Sequence, residues 1–491
     1  MPIPAPARQP LPQPRVGLVS LGLDAYWPQF PGLEQRLLGY TNQVATQLAQ
    51  TGVHVVNLGL IDSPPKAMQA GHDLRRNDVD LLVIYVTTYA LSATVLPMVQ
   101  RAGVPVLLLN LQPSAAIDYA AFNAMTDRSA MTGEWLAWCN ACPLPEIANV
   151  FLRAGIRFHQ VTGMLEDDPE AWTEIRDWMQ ALTVRETLSH CRTGLLGHYY
   201  SGMLDIVTDL TAINATFGGH FEMLEADELS ALRKSLPAAV VEDQVAYFQT
   251  QFDVQPDCDA MELARAARTS AALDRWVHQH DLQALAYYYK GTGIGANEDT
   301  LSSIILGTSL LTARGLPVAG EYEVKNVIAM KIMDAFSAGG SFSEFYATDF
   351  AADLVLLGHD GPGHLAIADG KAKVRPLGVY HGKVGNGLSI EMSVKPGPVT
   401  LLSVVEDPNP PSGATGGRFL LLIAQGESVP GPILEIGNTN SRYRFSLGTR
   451  GFINAWTSHG PAHHCAIGVG HIAPKLEKLA ALLNIRAVQI C

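Results

Sequence analysis

The chain has 491 residues, of which 47% are hydrophobic and 16% are charged, so it can bury several cores and divide into several domains. Its formal net charge is −13, and the basic residues are scattered along the sequence. A protein that binds nucleic acid needs a concentrated basic surface to neutralise phosphates, so this composition excludes that class and predicts no nucleic-acid partner.

The N-terminal residues 1–15 are rich in Pro, Ala and Gln, and we predict that they form a disordered lead. They lack the apolar core of roughly 7–15 residues that a signal peptide requires. The longest apolar runs of the chain are far short of the ~20 residues that span a bilayer. We therefore expect no membrane association.

The six cysteines have no spacing typical of a disulfide framework. Cys139 and Cys142 are separated by two residues, as in redox and zinc motifs, but no second pair lies nearby. We expect both to be buried or half-buried free thiols, which behave as small hydrophobes. This usage predicts a reducing, cytoplasmic compartment.

Residues 16–189 read as a first α/β domain. Apolar strands begin at Val16, Val53, Asp80 and Val104, and helical patterns over residues 33–51 and 91–102 alternate with them. Continuous apolar strands that alternate with helices are typical of βαβ units and a buried parallel sheet. A further helix is predicted over residues 168–191.

The same alternation returns over residues 190–335. Strands are predicted at Thr193, Phe221 and Leu282, and helices over residues 257–280, 300–312 and 324–336. This pattern predicts a second doubly wound, Rossmann-like domain with a parallel sheet.

Residues 336–491 have a different sequence pattern, in which the helical periodicity of apolar residues is weak. Short β-like runs are separated by Pro and Gly, and the runs cover residues 353–357, 374–380, 388–394, 399–405, 418–422 and 443–446. Many short strands separated by Pro and Gly are typical of an antiparallel barrel or sandwich. The predicted fold class is thus two doubly wound α/β domains followed by a C-terminal antiparallel, barrel-like domain.

One glycine-rich loop, Gly291-Thr-Gly-Ile-Gly-Ala, follows a predicted strand and resembles a phosphate-binding turn. It does not lie in the first βαβ unit of the chain, and no strand that ends in an acidic residue follows at the distance expected for dinucleotide binding. A tight turn is the simpler interpretation, and a NAD-linked enzyme remains a weaker alternative.

Histidines and carboxylates are dense in the C-terminal third of the chain. The acidic residues include Glu321, Glu323 and Glu344, and the histidines include His359, His463 and His464. Imidazole and carboxylate together suit a divalent ion such as Mn²⁺, Co²⁺ or Mg²⁺. Spacing alone does not select the ligands, because they must converge from different elements.

Four segments resemble motifs of L-arabinose isomerases, in the same order along the chain. Ala319-Gly-Glu-Tyr-Glu-Val-Lys resembles A-G-E-G-D-W-K, and Gly339-Gly-Ser-Phe-Ser-Glu-Phe-Tyr resembles G-G-T-S-F-M-E-D-Y. Asp353-Leu-Val-Leu-Leu-Gly-His is similar to D-L-V-L-G-S-H, and Gly460-Pro-Ala-His-His-Cys is similar to G-G-A-H-H-T. The run from His464 to His471 also resembles the H-G-V-L-T-I-G-H ending of L-fucose isomerases, which aligns His464 rather than His463 with the ligand.

The resemblance implies a divalent-metal-dependent aldose–ketose isomerase. Its four metal ligands fall on Glu321, Glu344, His359 and His464, and the two glutamates also act as the acid/base pair. Mn²⁺ is the first expectation, with Co²⁺ and Mg²⁺ as alternatives. The sugar is expected to be L-arabinose, or else a sugar of the D-galactose or L-fucose type, and a homo-oligomer (trimer or hexamer) is expected.

Further residues are predicted around this group. Glu323 and Lys325 are candidates for supporting the ligands, and His463 for contacting the sugar. Gln112 and Tyr289 stand at strand ends, where open α/β sheets present ligand contacts. The segment that begins at Gly194 does not match either family. A non-catalytic sugar-binding or sensor protein with the same fold is the alternative of another class.

Overall fold

A computed structural model of the chain describes residues 11–291, 295–378, 386–409 and 418–491. The chain divides into two compact units, one of Pro12–Thr183 and the other of residues 184–491 together with Leu11. The predicted division between a central α/β domain and a C-terminal domain at residues 335 and 336 falls inside the second unit, and these boundaries stay a prediction. Most of the predicted N-terminal lead, residues 1–10, lies outside the described residues.

The first unit is built on a five-stranded parallel sheet with strand order β2-β1-β3-β4-β5. Its elements in chain order are β1 (Arg15–Leu21), α1 (Leu33–Ala49), β2 (His54–Ile61), α2 (Pro64–Arg76), β3 (Leu81–Val86), α3 (Ser92–Ala102), β4 (Val106–Gln112), α4 (Tyr119–Ala124), α5 (Arg128–Leu136), α6 (Leu144–Arg153) and β5 (Phe158–Met164). The helix α7 (Pro169–Ser189) follows and runs past the end of the unit. This strand order is that of a doubly wound fold.

Two apolar clusters stabilise this sheet. Every residue of β3 is buried, as expected of a central strand in a parallel sheet. The helices α2, α3 and α6 contribute to one cluster, and α1 contributes Leu33 and Leu37 to another. The predicted first α/β layer is therefore confirmed.

The expectation of two free thiols at Cys139 and Cys142 is wrong. The structure joins them in a disulfide, with their Cα atoms 5.6 Å apart. The reason is local, because α5 ends at Leu136 and the chain then turns, which brings residues i and i+3 within bridging distance. Cys139 is buried and Cys142 is exposed.

The second unit begins with a four-stranded parallel sheet of order β10-β9-β6-β7. Its elements are β6 (Arg192–Gly197), α8 (Leu210–Phe217), β7 (His220–Leu224), α9 (Ala226–Lys234), α10 (Ala238–Gln251), β8 (Asp253–Val254), α11 (Ala260–Gln279), β9 (Ala284–Tyr288), α12 (Ala296–Leu301), α13 (Ile305–Ala313), β10 (Val318–Ala319) and α14 (Val324–Ala335). The second predicted parallel sheet is thereby confirmed. Residues 292–294 of the glycine-rich loop lie outside the described residues.

A closed antiparallel barrel follows in the same unit. The remaining elements are β11 (Gly339–Asp349), β12 (Leu354–His359), β13 (Lys373–Leu377), β14 (Gly387–Glu391), β15 (Gly397–Glu406), β16 (Phe419–Ser428), β17 (Thr439–Phe445), α15 (Gly448–Thr457), β18 (Cys465–Val469), α16 (Ala473–Leu483) and β19 (Arg486–Gln489). Six strands close in the order β15-β18-β11-β12-β17-β16, and β16 pairs back to β15. The strand β19 adds to β16 in parallel.

Two of the short β-like runs do not join the barrel. The strands β13 and β14 instead form a three-stranded sheet with β8. Their inward residues Val374 and Ile390 pack with Phe248 of α10 and Leu306 of α13, so this small sheet belongs to a helix-lined core. A strand pattern alone carries no information about which core its apolar face covers.

The helix α14 connects the parallel sheet to the barrel, and all of its residues are buried. Its lysines find partners inside the protein, since the Lys331 ammonium donates to the carbonyls of Gln283 and Gly315 at 3.1 and 2.9 Å and the Lys325 ammonium donates to the carbonyl of Asp205 at 2.6 Å. Because α14 starts directly after the turn that carries Glu321, this buried helix fixes where that turn lies. Within the described residues, no helix has both the length and the apolar character needed to cross a membrane.

Candidate metal centre

Glu321 lies in a tight turn between β10 and α14. Glu321 and Tyr322 are consecutive residues with positive φ, at 52° and 64°. Non-glycine residues rarely adopt this left-handed conformation, which costs free energy and concentrates at functional sites. The turn is held by hydrogen bonds from the Tyr322 N–H to the Tyr287 carbonyl (3.0 Å) and from the Glu323 N–H to the Gly320 carbonyl (2.9 Å). This backbone turns the Glu321 carboxylate toward the barrel.

Glu344 and His359 are carried by adjacent barrel strands. Glu344 on β11 pairs with Gly358 on β12, and His359 is the last residue of β12. The backbone of His359 is fixed by Thr439, whose hydroxyl accepts from the His359 N–H at 2.8 Å and donates to its carbonyl at 3.1 Å. The strand pairing thus places the two side chains at the same end of the barrel.

His464 comes directly before β18 and is almost fully buried. Its Nδ1 shares a hydrogen bond with the carboxylate of Glu323, which has no exposed surface. Burial would lower the pKa of His464, but the charge and hydrogen bond of Glu323 outweigh it and raise the pKa overall. Because Nδ1 is occupied, Nε2 is the nitrogen left to face Glu321, whose Oε2 lies 3.8 Å away.

Phe342 sets the orientation of both imidazoles. Its fully buried ring lies 4.3 Å, centroid to centroid, from the rings of His359 (edge on) and His464 (stacked). The His359 Nε2 lies 3.5 Å from Glu321 Oε2. The two rings therefore present nitrogens to one carboxylate from two directions.

His463, the neighbour of His464, contacts the other glutamate. Its Nε2 lies 2.5 Å from Glu344 Oε2, and this hydrogen bond raises the pKa of His463. Its backbone N–H donates to the Asp205 carboxylate at 2.7 Å. His463 is half-exposed, so it lies between the buried ligand group and the open part of the site.

These side chains line one cavity of about 420 Å³. Its wall combines the polar group with aromatic and apolar side chains, formed by Tyr200, Met203, Glu321, Glu344, Tyr346, His359, Asp360, Leu434, Ile436, Asn438, His463 and His464. A concave site with converging polar groups and apolar walls has the general form of a small-molecule site.

The donor set fits a divalent cation. Two groups have ligand atoms within 4.8 Å of one another, Glu321 with His359 and His464, and Glu344 with His463 and His464. They share His464. Three of the four residues aligned by the resemblance fall in the first group, whereas Glu344 falls with His463 in the second. Two carboxylates and two imidazoles are a suitable donor set for Mn²⁺ or Co²⁺. A metal-binding histidine commonly donates its second N–H to a carboxylate, as the arrangement of His464 and Glu323 allows.

Lys325 does not contact the candidate ligands. Its buried ammonium donates to the Asp205 carbonyl at 2.6 Å, so it reaches the site through the residue that also holds His463. Of the residues predicted as sugar contacts, Tyr289 packs against the core of the parallel sheet, and its neighbour Tyr288 lies nearer the site. Burial raises the pKa of Tyr288 to about 12.

Gln112 belongs to the first unit, where it ends β4 as expected. Its side-chain amide donates to the carbonyls of Ser114 and Ala115 at 2.7 and 3.1 Å. Its role, like that of Tyr289, stays a prediction.

Several cavity residues were not selected from the sequence. Tyr346 is the extra residue of a β-bulge in β11, because Phe345 pairs with Leu357 and Ala347 with Leu356. A bulge redirects a side chain, and the Tyr346 hydroxyl accepts from the Asn438 amide at 2.9 Å at the cavity wall. Burial, followed by the charge of Glu344, raises the pKa of Tyr346. In the sequence, only its position two residues after Glu344 points to Tyr346. The bulge interrupts the alternation of buried and exposed residues by which a strand side chain is assigned to a face.

No protein-family model matches the sequence, and no curated protein sequence matches it either. Among solved structures, a solute-binding protein of an ABC transporter from Burkholderia multivorans is 12% identical, with a TM-score of 0.16, over 63% of this chain and 97% of that chain. UDP-N-acetylglucosamine 2-epimerase from Rickettsia bellii is 8% identical, with a TM-score of 0.14, over 62% of this chain and 78% of that chain. At such TM-scores neither likeness carries an argument about function.

Proposed function

We propose that this chain is a divalent-metal-dependent isomerase that interconverts an aldose and a ketose. The observation that carries the proposal is the convergence of Glu321, Glu344, His359 and His464 on one cavity. The ligand atoms of Glu321, His359 and His464 lie within 4.8 Å of one another, and Glu344 forms a second such group with His463 and His464. The resemblance of the four surrounding segments to L-arabinose and L-fucose isomerases supports the same reaction class.

The reaction moves a proton between two neighbouring carbons of the sugar and another between their oxygens. A bound divalent cation supplies a positive charge that polarises the carbonyl and stabilises negative charge as it develops on oxygen. We propose Mn²⁺ as this cation, held by the four residues. A carboxylate positioned beside the two carbons takes the proton and returns it, an effect worth about 10²–10⁴-fold.

Glu321 and Glu344 are the proposed acid/base pair. They approach the cavity from different elements, a turn before α14 and the strand β11, so each can face a different side of a bound sugar. Their surroundings differ too. Glu321 lies near two buried imidazoles, whereas Glu344 shares a hydrogen bond with the half-exposed His463.

L-Arabinose is the first proposed substrate, with D-galactose and L-fucose as the other sugars of the panel. The deciding experiment measures ketose formation from these three aldoses with metal-stripped protein, before and after Mn²⁺ is added. Metal-restored ketose formation from any of them would establish the class and name a substrate. Binding of Mn²⁺ and sugar without turnover would instead favour a non-catalytic sugar-binding protein.

We also propose a cytoplasmic location. Four of the six cysteines, Cys191, Cys258, Cys465 and Cys491, are free thiols, which suits a reducing compartment, whereas the Cys139–Cys142 disulfide is a bond that such a compartment disfavours. Thiol labelling of the protein in intact cells, compared with the purified protein, would test this part separately from the activity.

A further inference from the structure

A short segment, residues 198–209, leaves the parallel sheet and passes along the candidate site. It starts after Gly197, whose φ is 91° and where an added Cβ would lie 2.0 Å from the Tyr288 carbonyl oxygen. Only glycine fits this position, because both the conformation and the space exclude a side chain. The chain can therefore turn sharply out of β6, and the His198 N–H donates back to the same carbonyl at 3.1 Å.

The segment forms part of the cavity wall. Tyr200 and Met203 both line the cavity that holds the carboxylates and imidazoles. The Tyr200 N–H donates to the carbonyl of Glu321 at 3.2 Å, and its ring packs 4.8 Å from that of Tyr288. Thus Tyr200 is tied directly to the turn that carries a candidate ligand.

Asp205 fastens the middle of the segment at two points. Its carboxylate accepts from the His463 N–H at 2.7 Å, and its carbonyl accepts from the Lys325 ammonium at 2.6 Å. The Lys325 side chain is buried, so its ammonium gives a fixed anchor. Near the end of the segment, the Thr208 hydroxyl donates to Glu406 at 3.2 Å. Asp205 is an exposed residue, and the hydrogen bond of its carboxylate to His463 links the segment directly to the residue beside the candidate ligand His464.

We propose that Asp205 is a positioning residue that holds the 198–209 segment against His463, so that Tyr200 and Met203 contact the sugar and determine which aldose is accepted. This inference rests on the proposed isomerase function. An aromatic ring and a thioether offer an apolar surface to the C–H groups of a sugar, while the polar ligand group binds its oxygens. A wall of this kind selects among aldoses by shape, provided that its backbone is fixed.

The test compares the wild type with Asp205→Ala, Asp205→Asn and a matched control, Asp243→Ala, which removes an exposed carboxylate on α10. Two quantities are measured, the KM and kcat for the aldose that the wild type converts, and hydrogen–deuterium exchange of the 198–209 segment. We expect Asp205→Ala to raise KM about tenfold, the effect of losing one hydrogen bond to a charged group, and to accelerate exchange in the segment. The kcat should change by less than about threefold, since the ligand group is intact.

Asp205→Asn retains an oxygen that accepts a hydrogen bond from the His463 N–H. Its KM should therefore lie close to that of the wild type, and hydrogen–deuterium exchange in the segment should stay slow. Asp243→Ala should match the wild type in both. A role that is merely structural would lower the melting temperature and kcat together, without rescue by asparagine. If Asp205→Ala shows wild-type exchange and wild-type KM, the proposal is overturned.

Met203→Ala tests the cavity wall without changing Asp205. It therefore provides the deciding measurement if Asp205→Ala does not fold. It should change the ratio of kcat/KM between two aldoses, and an unchanged ratio would refute the specificity role. If the wild type converts no aldose, the isomerase proposal fails by itself. The exchange of the 198–209 segment in Asp205→Ala then still decides whether Asp205 anchors it.

Discussion

Glu323 and His464, 141 residues apart in sequence, share a hydrogen bond in the interior beneath the candidate metal centre. Both side chains are almost fully buried, at 0% and 1% exposure, so no water competes for this contact. The bond occupies Nδ1 of the imidazole and leaves Nε2 for the cavity. A single buried carboxylate therefore decides which nitrogen of His464 can bind a metal.

The first prediction concerns that carboxylate. Glu323→Gln should weaken Mn²⁺ binding about tenfold, because partners that orient a ligating histidine typically contribute about 10- to 100-fold to affinity. Glu323→Leu should weaken it further, since no acceptor remains for Nδ1–H. Titration calorimetry of the metal-stripped protein measures both. Wild-type Mn²⁺ affinity in the leucine variant would show that Glu323 does not orient the ligand.

Glu321→Gln and Glu344→Gln test the acid/base assignment. Each should reduce turnover by at least about 10²-fold, because a neutral amide cannot accept a proton from carbon. Neither should unfold the protein, since glutamine has nearly the same shape. Turnover is measured with saturating Mn²⁺, so that weaker metal binding is not mistaken for lost catalysis, and a melting curve checks the fold. Substantial turnover in either variant would remove that glutamate from the pair.

His280 gives a prediction about stability and pH, away from the cavity. Its two ring nitrogens lie 2.9 and 3.0 Å from Glu222 and Glu228. Burial would lower the pKa of His280, but these two carboxylates raise it above its ordinary value of 6.5. A histidine with a raised folded-state pKa stabilises the fold fully below the unfolded-state pKa. That contribution is lost as the pH rises through the folded-state pKa.

Accordingly, the difference in free energy of unfolding between the wild type and His280→Gln should be larger at about pH 6 than at about pH 9. Denaturant unfolding at the two pH values measures it. An equal difference at both would mean that the pairing of His280 with the carboxylates does not depend on its charge.

The parallel sheets could be predicted from the sequence because their strands are continuous apolar runs. The strands β3 and β4 are buried on both faces, and such runs between helical segments have few other interpretations. The strand β11 was not predicted as a strand, although it carries Glu344. It begins with Gly339 and Gly340 and is interrupted by the bulge at Tyr346, so it lacks the alternation that marks a half-buried strand.

The candidate ligands were selected by resemblance, since their spacing in the sequence does not show that they meet. Glu321 and His464 converge because a turn with positive φ meets the start of the barrel strand β18. Asp205 could not be found this way. Its carboxylate accepts from the backbone N–H of His463, and its carbonyl accepts from the ammonium of Lys325. Contacts with backbone groups do not produce a recognisable sequence motif.

Gly358 provides a test of the barrel at the site. An added Cβ there would lie 1.8 Å from the Thr439 carbonyl oxygen, on the neighbouring strand β17. Gly358→Ala should therefore lower the free energy of unfolding by about 3 kcal/mol, as overpacking of a rigid contact does. Gly39→Ala is the matched change in open space on α1, and it should stabilise its own unit by about 0.5–1 kcal/mol. A tolerated alanine at Gly358 would show that the two strands can separate.

The last prediction concerns the disulfide, where sequence and structure disagree. The structure pairs Cys139 with Cys142 and leaves four free cysteines, two of them buried. Alkylation of the unfolded protein without reductant should therefore label four cysteines, and alkylation after reduction should label all six. Mass spectrometry counts the added groups, and digestion assigns them. Because Cys142 is exposed, a mild thiol reductant should open the bridge in the folded protein as well. Six labels without reductant would show that Cys139 and Cys142 are free thiols, as the sequence had led us to expect.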